Sequence, residues 1–168
     1  KEKARELKNM LRPGILALGV FVNGDPEEEA GLFREGVIDL IQLHGQETEE
    51  DIRRIKLLTG GMAPVIRAVS VTGPESVRQW ADSSADFLLL DNGPGGTGSA
   101  FDYRLLEECL PEKPFFLAGG LEPEGVKEAV KALKPFAVDV SSGVETEGVK
   151  DEEKIRRFIR NVRTPVNF

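Results

Sequence analysis

The sequence predicts an α/β fold with a parallel sheet, and three observations support this. Short apolar runs recur along the chain, and their first residues, at positions 15, 40, 64, 87, 114 and 137, lie 23 to 27 residues apart. Each run is rich in Val, Ile, Leu or Phe and mostly continuous, which is typical of strands buried on both faces. Segments with helical periodicity separate the runs, and such alternation of strands and helices makes parallel βαβ units.

The predicted strands allow two layouts. The strands are Ile15–Val22, Leu40–His44, Pro64–Val69, Phe87–Asp91, Pro114–Ala118 and Ala137–Ser141. An open, doubly wound sheet that binds a nucleotide has a Gly-rich turn after its first strand, whereas Val22 is followed here by Asn23 and Gly24. A (β/α)8 TIM barrel places its chemistry at the carboxyl ends of the strands. We therefore predict a barrel with about six of its eight strands present, in one domain over residues 1–168.

The predicted helices begin at polar residues. Asp25 precedes Pro26 at the first helical position, and Thr48 opens the next helix. Further helices are predicted from Glu122 and over Asp151–Val162. The apolar residues expected on the buried helix faces are Ile52, Ile55, Leu58, Val126, Val130, Leu133, Ile155, Phe158 and Ile159.

Composition excludes several classes of function. The net charge of −7 argues against a nucleic-acid partner, because nucleic-acid binders usually carry a basic face. No apolar run reaches the roughly 20 residues of a membrane helix, and no signal-peptide pattern is present, so we expect a cytoplasmic protein. One cysteine, Cys109, and one histidine, His44, are too few for a Cys-based or His-rich metal site. No metal is therefore expected.

Polar and glycine residues follow the apolar runs, at the predicted active face. Asp91 ends one run, and a carboxylate at a strand end, shielded by apolar neighbours, can act as a general acid; it could equally cap a helix or anchor a loop. The Gly-rich segment after it, Asn92–Ser99, fits either a lid over the site or an ordinary surface loop. His44 could contact a substrate or could be a satisfied histidine at the barrel rim. Cys109 is expected on the opposite face, as a structural thiol.

Two glycine-containing turns follow the last two runs. Gly119 and Gly120 follow the fifth, and Ser141, Ser142 and Gly143 end or follow the sixth. Glycines at these places let backbone N–H groups approach a phosphate closely, although they could also only permit tight turns. Because the two turns would lie side by side, we favour a phosphate site and a small phosphorylated substrate.

Five segments together resemble the phosphoribosylanthranilate isomerase family. They are Gly19–Asn23, Ile41–Gly45, Leu88–Tyr103, Leu117–Val126 and Phe136–Glu145, in the order and spacing of that family. The resemblance implies a (β/α)8-barrel enzyme of tryptophan biosynthesis that works without cofactor or metal. Its reaction is the Amadori rearrangement of N-(5-phosphoribosyl)anthranilate to 1-(2-carboxyphenylamino)-1-deoxyribulose 5-phosphate.

The resemblance also implies roles for individual residues. Asp91 matches the general acid, and Asp139 matches an aspartate near the ribose hydroxyls. The phosphate-binding turns of the family correspond to Gly120, Ser142 and Gly143. The family's base is a cysteine in a K-x-C-G segment, which this sequence lacks, and the chain opens in what looks like the family's second helix.

Three explanations for this difference are open. The sequence could be part of a longer chain, a second copy or a separate peptide could complete it, or it could be an inactive phosphate-binding remnant. Other phosphate-binding barrel enzymes fit less well: an indole-glycerol-phosphate synthase would need lysines within the apolar runs, and a pentose-phosphate epimerase would need more metal ligands. A non-catalytic binding module, which binds a ribose phosphate without turnover, is the alternative from another class.

Overall fold

The computed structural model describes residues 1–91, 106 and 110–163 of the chain. The strands of the main sheet are β1 (Leu18–Phe21), β2 (Leu40–Leu43), β3 (Val65–Ser70), β4 (Phe87–Asp91), β5 (Phe115–Ala118) and β6 (Ala137–Val138). The helices are α1 (Glu2–Asn9), α2 (Pro26–Arg34), α3 (Glu49–Leu58), α4 (Pro74–Arg78), α5 (Val126–Leu133) and α6 (Glu152–Arg163). A 3-10 turn at Ser142–Val144 leads into an antiparallel hairpin of β7 (Glu145–Thr146) and β8 (Val149–Lys150).

The six strands β1 to β6 are neighbours in chain order within one sheet. Parallel pairing joins β1 to β2 from Leu18 opposite Leu40, β2 to β3 from Ile41 opposite Val65, and β5 to β6 from Phe116 opposite Ala137. Each apolar run therefore forms a strand, and the α/β fold with six strands is confirmed. The carboxyl ends of β1, β2 and β3 share one edge, as do those of β5 and β6, because parallel neighbours run in the same direction.

The chain forms two compact units, and whether residues 1–168 form one domain remains a prediction. The first unit comprises residues 1–68 and 82–88, and the second comprises residues 69–81 and those from 89 onward. Fully buried side chains of the first unit include Ile41, Leu43, Ile52, Ile55 and Ile66. Those of the second include Leu90, Leu117, Val126 and Ala129. Each large aliphatic side chain among them contributes about 1.5–3 kcal/mol by leaving water.

Local sequence signals predict where most of the helices begin. Asp25 accepts a hydrogen bond from the Glu27 N–H at 3.0 Å, and Thr48 forms a capping box with Asp51. The helix predicted from Glu122 begins instead at Val126. The Gly125 N–H donates to the Glu122 carbonyl at 3.2 Å, so a separate turn precedes the helix.

One predicted core position is wrong. Phe158 of α6 is buried, but Ile159 is 43% exposed. Ile159 lines an open apolar groove of about 570 Å³ within the second unit, together with Val138, Val140 and Ile155. The side chain thus faces apolar neighbours without being covered by them. Val20 and Val22, at and beyond β1, are also exposed, at 56% and 65%. Among the described residues, no helix has the length and apolarity needed to cross a bilayer.

Candidate functional site

The two glycine-containing turns of the second unit touch each other, as predicted. Gly119 and Gly120 follow β5 with φ of 81° and 63°, a left-handed conformation that favours glycine. Gly143, in the turn after β6, packs on the backbone of Leu121. A Cβ atom at position 143 would lie 1.8 Å from the Leu121 carbonyl oxygen. Only glycine fits at position 143, because the backbone of Leu121 and Glu122 leaves no room for a side chain.

The surface around these turns is polar and accessible. Gly120, Asp139, Ser141 and Ser142 are exposed, and Gly143 is half-buried. Asp139 directly follows β6, and its N–H donates to the Leu117 carbonyl at 2.8 Å, which fixes the start of the turn on β5. The predicted phosphate-site residues of β5 and β6 therefore lie together at the carboxyl ends of two neighbouring parallel strands. Backbone N–H groups and hydroxyls exposed in such a place can bind an anion.

A lysine that the sequence reasoning missed lies against the same turn. Lys150 Nζ donates to the Ser141 carbonyl at 2.9 Å and to Ser141 Oγ at 3.1 Å. It also pairs with Glu145 at 2.6 Å, across the β7–β8 hairpin. The central hairpin residues Glu147 and Gly148 have φ of 52° and 77°, as a tight two-residue hairpin turn requires. The Glu-Gly pair was therefore the sequence signal that could have revealed the hairpin.

Asp91 ends β4 in the second unit, as predicted. The residue is half-buried, and its Oδ1 atom is buried. Its backbone carbonyl accepts a hydrogen bond from the Val71 N–H at 2.8 Å, so the backbone that carries the carboxylate is held in place. The Gly-rich segment Asn92–Ser99 and Cys109 lie outside the described residues. The predictions made for them, and the acid role of Asp91, remain predictions.

His44 follows β2 in the first unit and is exposed. Its Nδ1 atom lies 2.9 Å from Nε2 of the buried Gln42, and its N–H donates to the Phe21 carbonyl at 2.8 Å. His44 thus has a fixed ring orientation at a strand end, which is compatible with either interpretation of this residue.

A buried ion pair joins β3 to the loop after β2 in the first unit, and the sequence reasoning missed it. Arg67 Nη1 lies 2.8 Å from Glu47 Oε2, and Nη2 donates to the Gly45 carbonyl at 2.9 Å. Glu47 also accepts hydrogen bonds from the N–H groups of Asn23 at 2.6 Å and Gly45 at 2.8 Å. Burial alone would raise the pKa of Glu47, but these backbone donors, its own N–H and the guanidinium together lower it. The network ties the residues that follow β1 and β2 to the middle of β3.

Glu29 is a second buried carboxyl group, in α2. It is 1% exposed, and among the described residues neither carboxyl oxygen has a hydrogen-bond partner. Burial is the largest cause that raises the pKa of Glu29, and with the negative charges of Glu47, Asp51, Asp25 and Glu28, in that order, it brings the pKa to about 7. The group is therefore neutral in the folded chain at mildly acidic pH.

We expect the free energy of unfolding of Glu29→Gln, relative to that of the wild type, to be higher at pH 8 than at pH 5. The folded pKa of about 7 lies above the ordinary 4.5. The wild-type carboxyl therefore contributes fully below pH 4.5, and that contribution is lost as the pH rises through 7. The difference corresponds to about 3 kcal/mol in the free energy of unfolding, which urea titrations at the two pH values measure. The exposed Glu50→Gln is the matched control. An equal effect of Glu29→Gln at both pH values would contradict the prediction.

No set of three or more His, Cys, Asp or Glu side chains in the described part of the chain is arranged to hold a metal ion. Anion binding at the glycine turns and proton transfer at Asp91 remain the predicted chemistry of this site.

Comparisons with known proteins point to one family. The model of the N-(5'-phosphoribosyl)anthranilate (PRA) isomerase family matches residues 1–161. An N-(5'-phosphoribosyl)anthranilate isomerase of Acetivibrio thermocellus is 42% identical to this chain, and the match covers 97% of this chain and 79% of that protein. A relative from Clostridium acetobutylicum with the same name is also 42% identical, over 96% of this chain and 79% of its own length.

Solved structures show the same similarity. Phosphoribosyl anthranilate isomerase from Thermotoga maritima has a TM-score of 0.82 at 36% identity, covering 96% of this chain and 80% of that chain. The Thermus thermophilus protein has a TM-score of 0.80 at 37% identity, with coverage of 96% and 78%. These (β/α)-barrel relatives confirm the predicted fold class. Another solved isomerase, with 34% identity and a TM-score of 0.78, over 96% of this chain and 78% of its own, is in complex with reduced 1-(o-carboxyphenylamino)-1-deoxyribulose 5-phosphate.

Proposed function

Since the chain belongs to the N-(5'-phosphoribosyl)anthranilate isomerase family, we propose that it acts in tryptophan biosynthesis as the isomerase of that pathway. The proposed reaction is the Amadori rearrangement of N-(5'-phosphoribosyl)anthranilate to 1-(2-carboxyphenylamino)-1-deoxyribulose 5-phosphate, an aldose–ketose isomerisation. The observation that carries the proposal is the contact between the two glycine turns at the ends of β5 and β6, through Gly143 and Leu121.

The phosphate of the substrate is proposed to bind at these two turns. Gly119 and Gly120 on one side, and Ser142 and Gly143 on the other, would supply backbone N–H donors. The absence of side chains at the glycines allows a phosphate oxygen to come within hydrogen-bond distance of the backbone. The Ser141 and Ser142 hydroxyls are exposed beside them. Asp139, also exposed, is proposed to accept hydrogen bonds from ribose hydroxyls.

Asp91 is proposed to be the general acid. Opening of the furanose ring requires a proton on the ring oxygen as the bond from C1 to that oxygen breaks. The electrons of the anilino nitrogen then form a double bond to C1. Removal of the proton at C2 gives an enolamine, and protonation of C1 with loss of the 2-hydroxyl proton gives the ketose. A half-buried carboxyl group at the end of a strand is suited to the first step, because shielding from water favours its protonated form.

The base that removes the C2 proton has no assigned residue in this chain. The family resemblance gives this role to a cysteine, and the cysteine of this sequence, Cys109, lies outside the described residues. His44 is proposed to contact the substrate rather than to serve as the base, because its ring is held through Nδ1 by Gln42.

Further proposals concern the setting of the reaction. We propose a single (β/α)-barrel domain, a cytoplasmic location, and a small phosphorylated substrate as the partner. Assembly into a homo-oligomer is an additional proposal, since a second solved structure from Thermotoga maritima is of monomers generated from a dimeric isomerase. That relative is 32% identical, with a TM-score of 0.77, and the match covers 96% of this chain and 78% of that one.

Two measurements on the purified chain test the proposed function. The first is conversion of N-(5'-phosphoribosyl)anthranilate, followed by the loss of its fluorescence, and inorganic phosphate is expected to compete. The second is calorimetric binding of reduced 1-(o-carboxyphenylamino)-1-deoxyribulose 5-phosphate. Turnover together with binding supports the isomerase. Binding without turnover would support the phosphate-binding module instead, and absence of both would refute the proposed site.

A further inference from the structure

Lys150 contacts the turn after β6 from the β7–β8 hairpin. Its Nζ atom lies 2.9 Å from the carbonyl oxygen of Ser141, 3.1 Å from Ser141 Oγ and 2.6 Å from Glu145 Oε1. An ammonium group has three N–H donors and no acceptor. These three contacts therefore use its donors completely, so Lys150 holds the turn without being placed as a direct ligand of an anion.

The hydrogen bond from Lys150 to the Ser141 carbonyl also bears on the direction of the Ser142 N–H group. The described part of the chain has no cis peptide bond. In a planar trans peptide, the C=O group and the N–H group of the following residue point in opposite directions. Lys150 at 2.9 Å and the Val144 N–H at 3.3 Å both donate to the Ser141 carbonyl, Lys150 over the shorter distance, so the Ser142 N–H points away from the Lys150 ammonium. The neighbouring Gly143 is fixed independently by its close packing on Leu121.

We infer that Lys150 is a positioning residue for phosphate binding, acting through the Ser141 peptide to aim the Ser142 N–H at the phosphate. This inference rests on the proposed function, and it adds a residue to the phosphate site that the sequence reasoning did not include. The Glu145 carboxylate lies 2.6 Å from the Lys150 ammonium group and balances its charge. The pairing therefore supports a role of Lys150 in positioning the turn over a role as a positive charge that attracts the phosphate. Lys150 also cancels a negative charge that would otherwise repel a phosphate.

Lys150→Met is the variant that tests this role. We expect roughly tenfold weaker binding of reduced 1-(o-carboxyphenylamino)-1-deoxyribulose 5-phosphate, because a donor to a charged ligand loses its orientation. The dephosphorylated form of the same compound is expected to bind the variant and the wild type equally. Lys150→Arg should retain most of the affinity, since a guanidinium also donates to a carbonyl oxygen. Calorimetry with both compounds measures the two affinities.

Two controls separate positioning from charge and from folding. Glu145→Gln removes the carboxylate charge but leaves Lys150 to hold Ser141, so it should bind the phosphorylated compound at least as tightly as the wild type. Lys131→Met removes an exposed lysine of α5 and should change neither affinity. Thermal denaturation of each variant checks that it is folded, and Lys150→Ala, with the same expected loss of affinity, carries the test if Lys150→Met unfolds.

Several outcomes would overturn the inference. Lys150→Met could bind the phosphorylated compound as tightly as the wild type, or it could weaken the binding of both compounds equally, as general damage to the fold would. A loss in Glu145→Gln equal to that in Lys150→Met would assign the effect to the ion pair within the hairpin rather than to the hold on Ser141, because removing a negative charge does not itself weaken phosphate binding. Failure of the wild-type chain to bind the phosphorylated compound is a separate result, since it would refute the phosphate site itself.

Discussion

Replacing Asp91 with asparagine is expected to lower kcat for N-(5'-phosphoribosyl)anthranilate by about 10²- to 10⁴-fold, the usual contribution of a positioned general acid. Asparagine has nearly the same shape as aspartate, but its amide cannot give a proton to the ring oxygen. The fold should be retained, because the backbone carbonyl of residue 91 still accepts the Val71 N–H at the end of β4. Steady-state kinetics of the wild type and the variant measure the effect.

The matched control for this prediction is Asp82→Asn, the same chemical change at an exposed position. It should leave kcat within about twofold of the wild type, since surface substitutions away from a site have small effects. Binding of the reduced product analogue adds a second distinction. Asp91→Asn should bind the analogue with little loss, because the acid acts in the transition state and the phosphate is held elsewhere. An unchanged kcat in Asp91→Asn would show that another group supplies the proton.

The sheet was largely predictable because its strands are short, apolar and continuous. Phe87–Asp91 is a strand with the predicted bounds, and Leu40 begins β2 as predicted. The first strand differs, since the apolar run begins at Ile15 but β1 begins at Leu18. Ile15 and Leu16 are 58% and 64% exposed. Apolar composition therefore extends beyond the hydrogen-bonded pairing, which β1 shares with β2 only from Leu18 opposite Leu40.

The candidate site was only partly predictable. The closeness of the Gly119 and Gly143 turns could be inferred because neighbouring parallel strands bring their carboxyl ends together. Lys150 was missed because its contact depends on a hairpin of two-residue strands, too short to give an apolar pattern. Arg67 was missed for a different reason: it lies inside an apolar run, where a single charged residue does not change the strand prediction. Its partner, Glu47, lies 20 positions away in the sequence.

Arg67→Met is expected to lower the free energy of unfolding by about 3–5 kcal/mol, because it removes one partner of a buried ion pair. The side chains of Arg67 and Glu47 are 8% and 4% exposed, so Glu47 would keep its charge away from water without the guanidinium. The backbone N–H groups of Asn23 and Gly45 would continue to donate to the Glu47 carboxylate. Urea denaturation at pH 7 measures the change.

The pH dependence distinguishes loss of the ion pair from loss of packing. In the wild type the pKa of Glu47 is lowered below 4.5, so its stabilisation is present above that pH and is lost as the pH falls through the lowered pKa. Without Arg67 less of this stabilisation exists. The difference in the free energy of unfolding between variant and wild type should therefore become smaller below pH 4.5. Arg53→Met removes an exposed arginine paired with Glu49 and should cost no more than about 0.5 kcal/mol. A gap in Arg67→Met that stays constant with pH would assign the whole effect to the lost volume of the arginine side chain.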